Sequence, residues 1–171
     1  PEIKFDYLFH LGEYARVEQS LGDSDKCFES NIYLHKILSF CSENDVKLIY
    51  AGSSTKFTKG AEGKSLSPYT FLKCQNTELV KSYNLWFTLK YAIVYFYNVY
   101  GGNEQCNGNN ATVIAKFIKL ARQGFTILPV TLPGTQLRSF THIEDTIEAL
   151  KLIAVNGDGD GYGISNDESY S

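Results

Sequence analysis

The sequence predicts an α/β fold, a doubly wound and mostly parallel sheet. Two observations lead to it. Short apolar runs alternate with amphipathic helical segments across short joints, the pattern that pairs strands in parallel through right-handed crossovers. One of those runs, Tyr91 to Tyr97, is apolar throughout, as expected of a strand buried on both faces.

Taken in order, Phe5 to Leu11 reads as a short buried strand ending at Gly12. Glycine at that point lets a ligand approach the backbone. His10 reads as a packed strand-end residue, and Arg16 is open between a solvated charge and a phosphate clamp. Asn31 to Cys41 is predicted helical, with Ile32, Leu34, Ile37, Leu38 and Cys41 as its buried face. Ser42-Glu43-Asn44-Asp45 breaks it, and Val46 to Ala51 follows as a strand running into Gly52-Ser53-Ser54-Thr55. In open parallel sheets ligands sit beyond the carboxyl ends of strands, where Gly12 and residues 52–55 fall.

A Gly/Ser/Lys loop from Thr58 leads to Ser67-Pro68-Tyr69, where Ser67 is placed to cap a helix and Pro68 to occupy its first turn. The helix runs to about Trp86, with Leu72, Asn76, Leu79, Val80, Tyr83 and Phe87 near one stripe. Tyr69 and Lys73 lie four apart on one face. A fixed ammonium beside a phenol favours the phenolate, so the pair suits removal of a proton from an alcohol. Asn103 to Asn110 reads as a polar loop, Ala111 to Arg122 as an amphipathic helix ended by Gly124, and Thr126 to Val130 as a short edge strand, since Pro129 excludes a central place. Thr141 to Glu144 has the spacing of a capping box, with His142 structural. Asn156 to Gly161 mimics half of a calcium loop but carries Asp167 in the twelfth place and no exit helix, so it reads as turns into a strand over Tyr162 to Ile164 and no metal is expected.

Composition bounds the rest. The 171 residues are 43% hydrophobic and 20% charged, which suits a folded domain. A net charge of −3 gives no basic field for nucleic acid, and no apolar run reaches the length of a membrane span. Cys27, Cys41, Cys74 and Cys106 have neither metal nor redox spacing, which suits reduced thiols in a cytoplasmic protein. The chain opens on Pro1 and holds no methionine, so a fragment or a chain with segments missing is expected; an intact mass of 19.2 kDa would contradict that.

Several pieces then align in order: Phe9-His10-Leu11-Gly12, Ala15-Arg16-Val17 with Ser20, Asn31, Tyr50-Ala51-Gly52-Ser53-Ser54, and Pro68-Tyr69 with Lys73. They continue through Tyr97-Asn98-Val99-Tyr100-Gly101, Gly134-Thr135-Gln136 with Arg138, Thr141 to Asp145, and Gly161 to Ile164 with Tyr170-Ser171. Together they resemble the extended short-chain dehydrogenase/reductases, specifically the nucleotide-sugar epimerases and dehydratases. The resemblance implies a Rossmann-type sheet lacking its first βαβ unit and most of the C-terminal substrate lobe. It implies an incomplete dinucleotide-binding part over residues 1–130 and the start of a substrate-binding part over 131–171.

By that resemblance Tyr69 is the base, Lys73 tunes it and holds the nicotinamide ribose, and Ser53, or else Ser54, hydrogen-bonds the reacting oxygen. Leu11, Gly12, Asn31, Ser53, Tyr69, Lys73 and Tyr97 are the implied NAD contacts. Asn98, Arg138, Arg16 and Ser54 are the implied contacts to a nucleotide-diphosphate sugar, with Arg138 open to reading as a surface charge; the assembly implied is a homodimer. The glycine-rich turn that binds the dinucleotide pyrophosphate is absent from the start of the chain, so weak cofactor binding is expected of this polypeptide. Dehydratases of the family carry acids just after the serine, where this chain has Ser54 and Thr55; epimerase-reductases carry a histidine where it has Asn103. Both departures favour epimerisation, with dehydration, reduction or a non-catalytic dinucleotide-binding scaffold as alternatives.

Overall fold

The computed structural model describes residues 4–57, 67–108, 111–130 and 132–171, without the side chains of residues 55 and 56. The chain divides into two compact units, one of Pro1–Phe96 with Leu150–Gly163, the other of Tyr97–Ala149 with Ile164–Ser171. These cuts fall elsewhere than the functional boundary expected at residue 130.

The first unit is built on strands β1 (Tyr7–His10), β2 (Lys47–Ser53), β3 (Tyr91–Phe96) and β6 (Gly159–Ile164), in the order β1-β2-β3-β6. The pairs β1–β2 and β2–β3 are parallel, with Phe9 beside Ile49 and Tyr50 beside Ile93. The parallel sheet expected from the alternation is therefore present. β2 and β3 bury most of their residues and leave none exposed, as the apolar runs require. β1 instead alternates, leaving Tyr7 and Phe9 exposed, because only one of its faces meets the core.

Helices α1 (Ser24–Glu29), α2 (Leu34–Glu43) and α3 (Pro68–Phe87) accompany this sheet. Leu34, Leu38, Cys41, Val80, Leu48, Tyr50, Ile93 and Tyr95 form one apolar core. α2 starts later than expected, and Ile32 is exposed rather than buried. α3 has the bounds the sequence implied, for the anticipated reason. Ser67 Oγ accepts from the Thr70 amide at 3.2 Å while Thr70 Oγ1 accepts from the Ser67 amide at 3.0 Å, and Pro68 occupies the first turn. The helix stops at Thr88, which turns into the left-handed region (φ 55°) and returns its N–H to the Asn84 carbonyl at 2.9 Å.

The buried stripe of α3 differs from the one expected. Thr70, Lys73, Asn76, Thr77 and Val80 are buried, Leu72, Leu79 and Tyr83 are half-buried, and Phe87 is exposed. Apolar spacing pointed to a stripe rotated from the one used, because the helix turns its polar residues toward the ends of β1 and β2.

In the second unit β4 (Asn98–Tyr100) pairs in parallel with β5 (Arg138–His142), which pairs antiparallel with β7 (Ser169–Tyr170). α4 (Val113–Arg122) is capped by Thr112, and α5 (Ile143–Asn156) follows β5 directly, its residues from Leu150 on counting with the first unit. Here two expectations are corrected. Residues 126–130 form no strand, and Ile127 and Val130 stand exposed; Pro129 has no N–H to offer a partner strand. Thr141 does not cap α5. It belongs to β5, and the His142 ring nitrogen accepts from the Glu144 amide at 3.4 Å instead. The 58–66 part of the Gly/Ser/Lys loop and residues 109–110 lie outside the described residues.

Candidate active site

The candidate site lies in the first unit, where β1 and β2 end and α3 begins. Parallel pairing brings both strands out on one side, so the chain after His10 and the chain after Ala51 emerge together. α3 starts there because its first amides find partners: Ser67 takes the Thr70 amide, and the buried Ser20 hydroxyl takes the Tyr69 amide at 3.3 Å while donating to the Val17 carbonyl at 2.6 Å. This fixes Tyr69 one residue into the helix. Its hydroxyl donates to Ser53 Oγ at 3.1 Å. Of the two candidate serines, Ser53 is the one that meets the phenol; Ser54 opens a 3₁₀ turn over Ser54–Phe57.

Lys73, one turn further along, is buried. Its ammonium donates to the Ala51 carbonyl at 2.7 Å and to the Glu13 carboxylate at 2.6 Å. The expectation that Lys73 acidifies Tyr69 is corrected on this point: the charge of Lys73 is met by Glu13. Burial pushes the Tyr69 phenol up, the Ser53 hydroxyl and Arg16 pull it part of the way back, and Glu13 and Cys27 add to the rise. The net position is above the ordinary phenol value.

Glu13 is the residue that sequence reading missed. Its side chain is 1% exposed, and four donors converge on it: Lys73, the Tyr50 hydroxyl at 2.8 Å, the His10 ring at 3.1 Å and the Asn76 amide at 3.2 Å. Burial raises its carboxyl, but the His10 hydrogen bond and the Lys73 charge outweigh that and hold it below the ordinary carboxylate value. Burial, with the proximity of Glu13 adding to it, pushes the Tyr50 phenol far up. A sequence signal was available: an acidic residue directly after a buried strand that ends in His10 and Gly12.

The remaining expected contacts are placed as follows. Asn31 is half-buried, donating to the Cys27 carbonyl at 2.7 Å and accepting from Asn76 at 2.5 Å, so it extends the same network. Leu11 and Gly12 are exposed, and a side chain built on Gly12 would meet nothing within 4 Å. That open backbone suits close approach of a flat ligand. Gly52 is different: a Cβ there would lie 2.5 Å from the Tyr95 ring, so its role is packing. Arg16 is half-buried and its charge reaches Tyr69. Tyr97, Asn98 and Arg138 belong to the second unit. Tyr97 is exposed, Asn98 donates to the Ser139 carbonyl at 2.8 Å, and Arg138 is exposed with its guanidinium on the Leu137 carbonyl and the Gln136 side chain.

Comparison with known proteins bears on this geometry. Residues 1–166 match the NAD dependent epimerase/dehydratase family. The chain belongs to that family. It is 30% identical over 158 residues to a UDP-N-acetyl-alpha-D-glucosaminuronate decarboxylase of Bacillus cytotoxicus, covering 84% of this chain and 48% of the relative. To an ADP-L-glycero-D-manno-heptose-6-epimerase of Nitratidesulfovibrio vulgaris it is 25% identical, covering 88% and 51%. Among solved structures, a UDP-N-acetylglucosamine 4-epimerase from Methanobrevibacter ruminantium M1 superposes with a TM-score of 0.86 at 26% identity, covering 96% of this chain and 56% of that one. A UDP-glucose 4-epimerase from Thermus thermophilus in complex with NAD gives 0.79 at 25%, covering 97% and 58%. The chain thus spans about half the length of the curated relatives it matches. The Rossmann-like parallel sheet and the family resemblance expected from the sequence both stand. Among the described residues no helix is long and apolar enough to cross a membrane.

Proposed function

We propose that this chain carries the catalytic centre of an NAD-dependent nucleotide-sugar epimerase. The observation that supports it best is the Tyr69–Ser53 hydroxyl pair, 3.1 Å apart at the carboxyl end of β2, with Lys73 anchored one turn along α3. A sugar hydroxyl placed beside this pair meets both groups that its oxidation needs. Tyr69, in its ionised form, takes the hydroxyl proton, and Ser53 holds the oxygen by a hydrogen bond as it becomes a carbonyl. NAD, held by Lys73 and by the exposed backbone of Leu11 and Gly12, would supply the hydride chemistry that inversion of the sugar carbon requires.

The residues present suit a nicotinamide ribose. Lys73 has three donors, of which two are engaged, so one remains for a ribose hydroxyl beside the Tyr69 phenol. Leu11 and Gly12 offer exposed backbone at the end of β1, and Asn31 and Tyr97 complete the proposed cofactor set. Asn98, Arg138, Arg16 and Ser54 form the proposed set for the nucleotide-diphosphate sugar, in which a guanidinium fork suits diphosphate oxygens. We assign the cofactor-binding role to residues 1–130 and part of the sugar-nucleotide role to 131–171, with a homodimer as the assembly and the cytoplasm as the compartment.

Dehydration, the alternative, needs an acid to expel water from a neighbouring carbon. Ser54 and Thr55 stand where such acids are expected. Glu13 does not replace them, because it is ionised and engaged by four donors. The test is turnover by the full-length protein with NAD and UDP-, ADP- and dTDP-sugars, with products read by NMR. Epimerisation gives a sugar inverted at one carbon, whereas a stable keto-deoxy sugar would establish dehydration instead. Undiminished turnover by Tyr69→Phe would overturn the assignment of the centre.

A further inference from the structure

Tyr69 is held at two ends, and only one of them touches the reacting sugar in the proposed chemistry. Its phenol meets Ser53 Oγ at 3.1 Å, and its backbone amide meets the Ser20 hydroxyl at 3.3 Å, across 49 positions of sequence. We propose that Ser20 is a positioning residue of the centre, docking the first turn of α3 against the chain after β1 and so setting the place from which the Tyr69 phenol reaches Ser53. Ser20 has this role only if Tyr69 is the proton acceptor, and it deepens that assignment by naming the group that places the phenol.

The first amides of α3 show why Ser20 does more than start a helix. Pro68 has no N–H, Thr70 donates to Ser67 Oγ at 3.2 Å, and Phe71 donates to the Ser67 carbonyl at 3.0 Å. Ser67 therefore serves these amides by itself, except that of Tyr69, whose partner comes from outside the helix. Ser20 is fully buried, within the 3₁₀ turn Glu18–Leu21. Its hydroxyl proton is committed to the Val17 carbonyl at 2.6 Å, which leaves the oxygen lone pairs for the Tyr69 N–H. The backbone N–H of Ser20 goes separately to the Arg16 carbonyl at 3.3 Å. One side-chain oxygen thus joins the turn after β1 to the second residue of α3.

Without that oxygen the Tyr69 amide and the Val17 carbonyl lose their partner at a buried joint, and the helix start must shift to find others. A displacement of about 1 Å in a reacting group can lower a rate about 10²-fold. In an alanine variant the Arg16 carbonyl keeps its backbone hydrogen bond, so the sugar-nucleotide contact proposed for Arg16 stays in place. The loss therefore falls on kcat rather than on KM.

The experiment compares Ser20→Ala with the parent in the full-length protein. With no ligand added, NMR hydrogen exchange of the Tyr69 amide should speed up about tenfold relative to that of Thr70, which keeps its bond to Ser67. Kinetics then use NAD and the member of the UDP-, ADP- and dTDP-sugar panel that the parent turns over. There Ser20→Ala should lower kcat about 10- to 100-fold and leave KM within about twofold. Should Ser20→Ala not fold, Ser20→Cys takes its place, since its sulfur is a weak acceptor and the same direction is expected in both readouts. An unchanged kcat, a loss carried by KM alone, or equal acceleration of the Tyr69 and Thr70 amides would overturn the positioning role. With Tyr69→Phe inactive, any of these leaves the catalytic centre standing. Undiminished turnover by Tyr69→Phe would overturn the centre, and the role of Ser20 with it.

Discussion

The two halves of α3 invert the usual relation between hydropathy and burial. The first half buries Thr70, Lys73, Asn76 and Thr77, polar side chains that each find partners. The last turn leaves Leu85, Trp86 and Phe87 in the open, with Leu85 81% exposed. Within one helix, then, position along the axis decides burial more than residue type does. The first half faces strand ends where groups must be held in fixed places, and a buried polar group is tolerated only when it is fully partnered. The last turn has run past the sheet and has little left to pack against.

Tyr69→Phe should lower turnover about 10²–10⁴-fold, the contribution of a positioned acid or base, while leaving the thermal midpoint nearly unchanged. In the oxidation direction the parent rate should climb with pH across the alkaline range. The folded phenol titrates above its ordinary value, so its deprotonated fraction is still growing there. Glu13→Ala should cost about 3–5 kcal/mol in urea unfolding, because it leaves the Lys73 ammonium buried and unpaired.

That loss has a pH signature. The Glu13 carboxyl is held below the ordinary carboxylate value in the folded chain, so its contribution is complete above that value and disappears as pH falls through the folded one. The gap in stability between the parent and Glu13→Gln should therefore narrow on acidification below about pH 4. A gap that stays constant far into the acid range would mean that the carboxylate is not the source.

Ser67→Ala should cost about 1 kcal/mol, the usual size of a lost helix cap. Leu85→Gln, at the other end, should stay within about 0.5 kcal/mol of the parent. A loss several times larger at Leu85 would show that the exposed turn is covered in solution, and the contrast between the halves would then narrow.

Much of this was legible in the sequence, for identifiable reasons. Ser67-Pro68 marks a helix start by local chemistry alone, and the apolar run of Tyr91 to Phe96 can serve only as a buried strand. The Tyr69–Ser53 contact was reachable because strand ends and helix starts meet on one side of a parallel sheet. The partner of Lys73 was not reachable from local spacing. Glu13 is 60 residues away in sequence, and its place directly after the strand end is the one local hint that separates it from a surface acid. The i,i+4 spacing suggested a direct influence of Lys73 on Tyr69, yet the hydrogen bonds of the lysine go to Glu13 and the Ala51 carbonyl. β5 was also missed, since Arg138-Ser139-Phe140-Thr141-His142 lacks an apolar run and pairs only because β4 and β7 present edges to it.

Gly52 links distant parts of the first unit mechanically. Its bare backbone admits the Tyr95 ring, whose hydroxyl reaches Asp160 on β6 at 2.6 Å, and Asp160 in turn holds Lys81 on α3 at 2.8 Å. A methyl group at position 52 would act like a wedge driven under one end of a lever: the ring must tilt, its hydroxyl must leave the aspartate, and the disturbance is delivered to the middle of the helix whose first turn carries Tyr69. A single hydrogen atom in the right place thus keeps four elements in alignment.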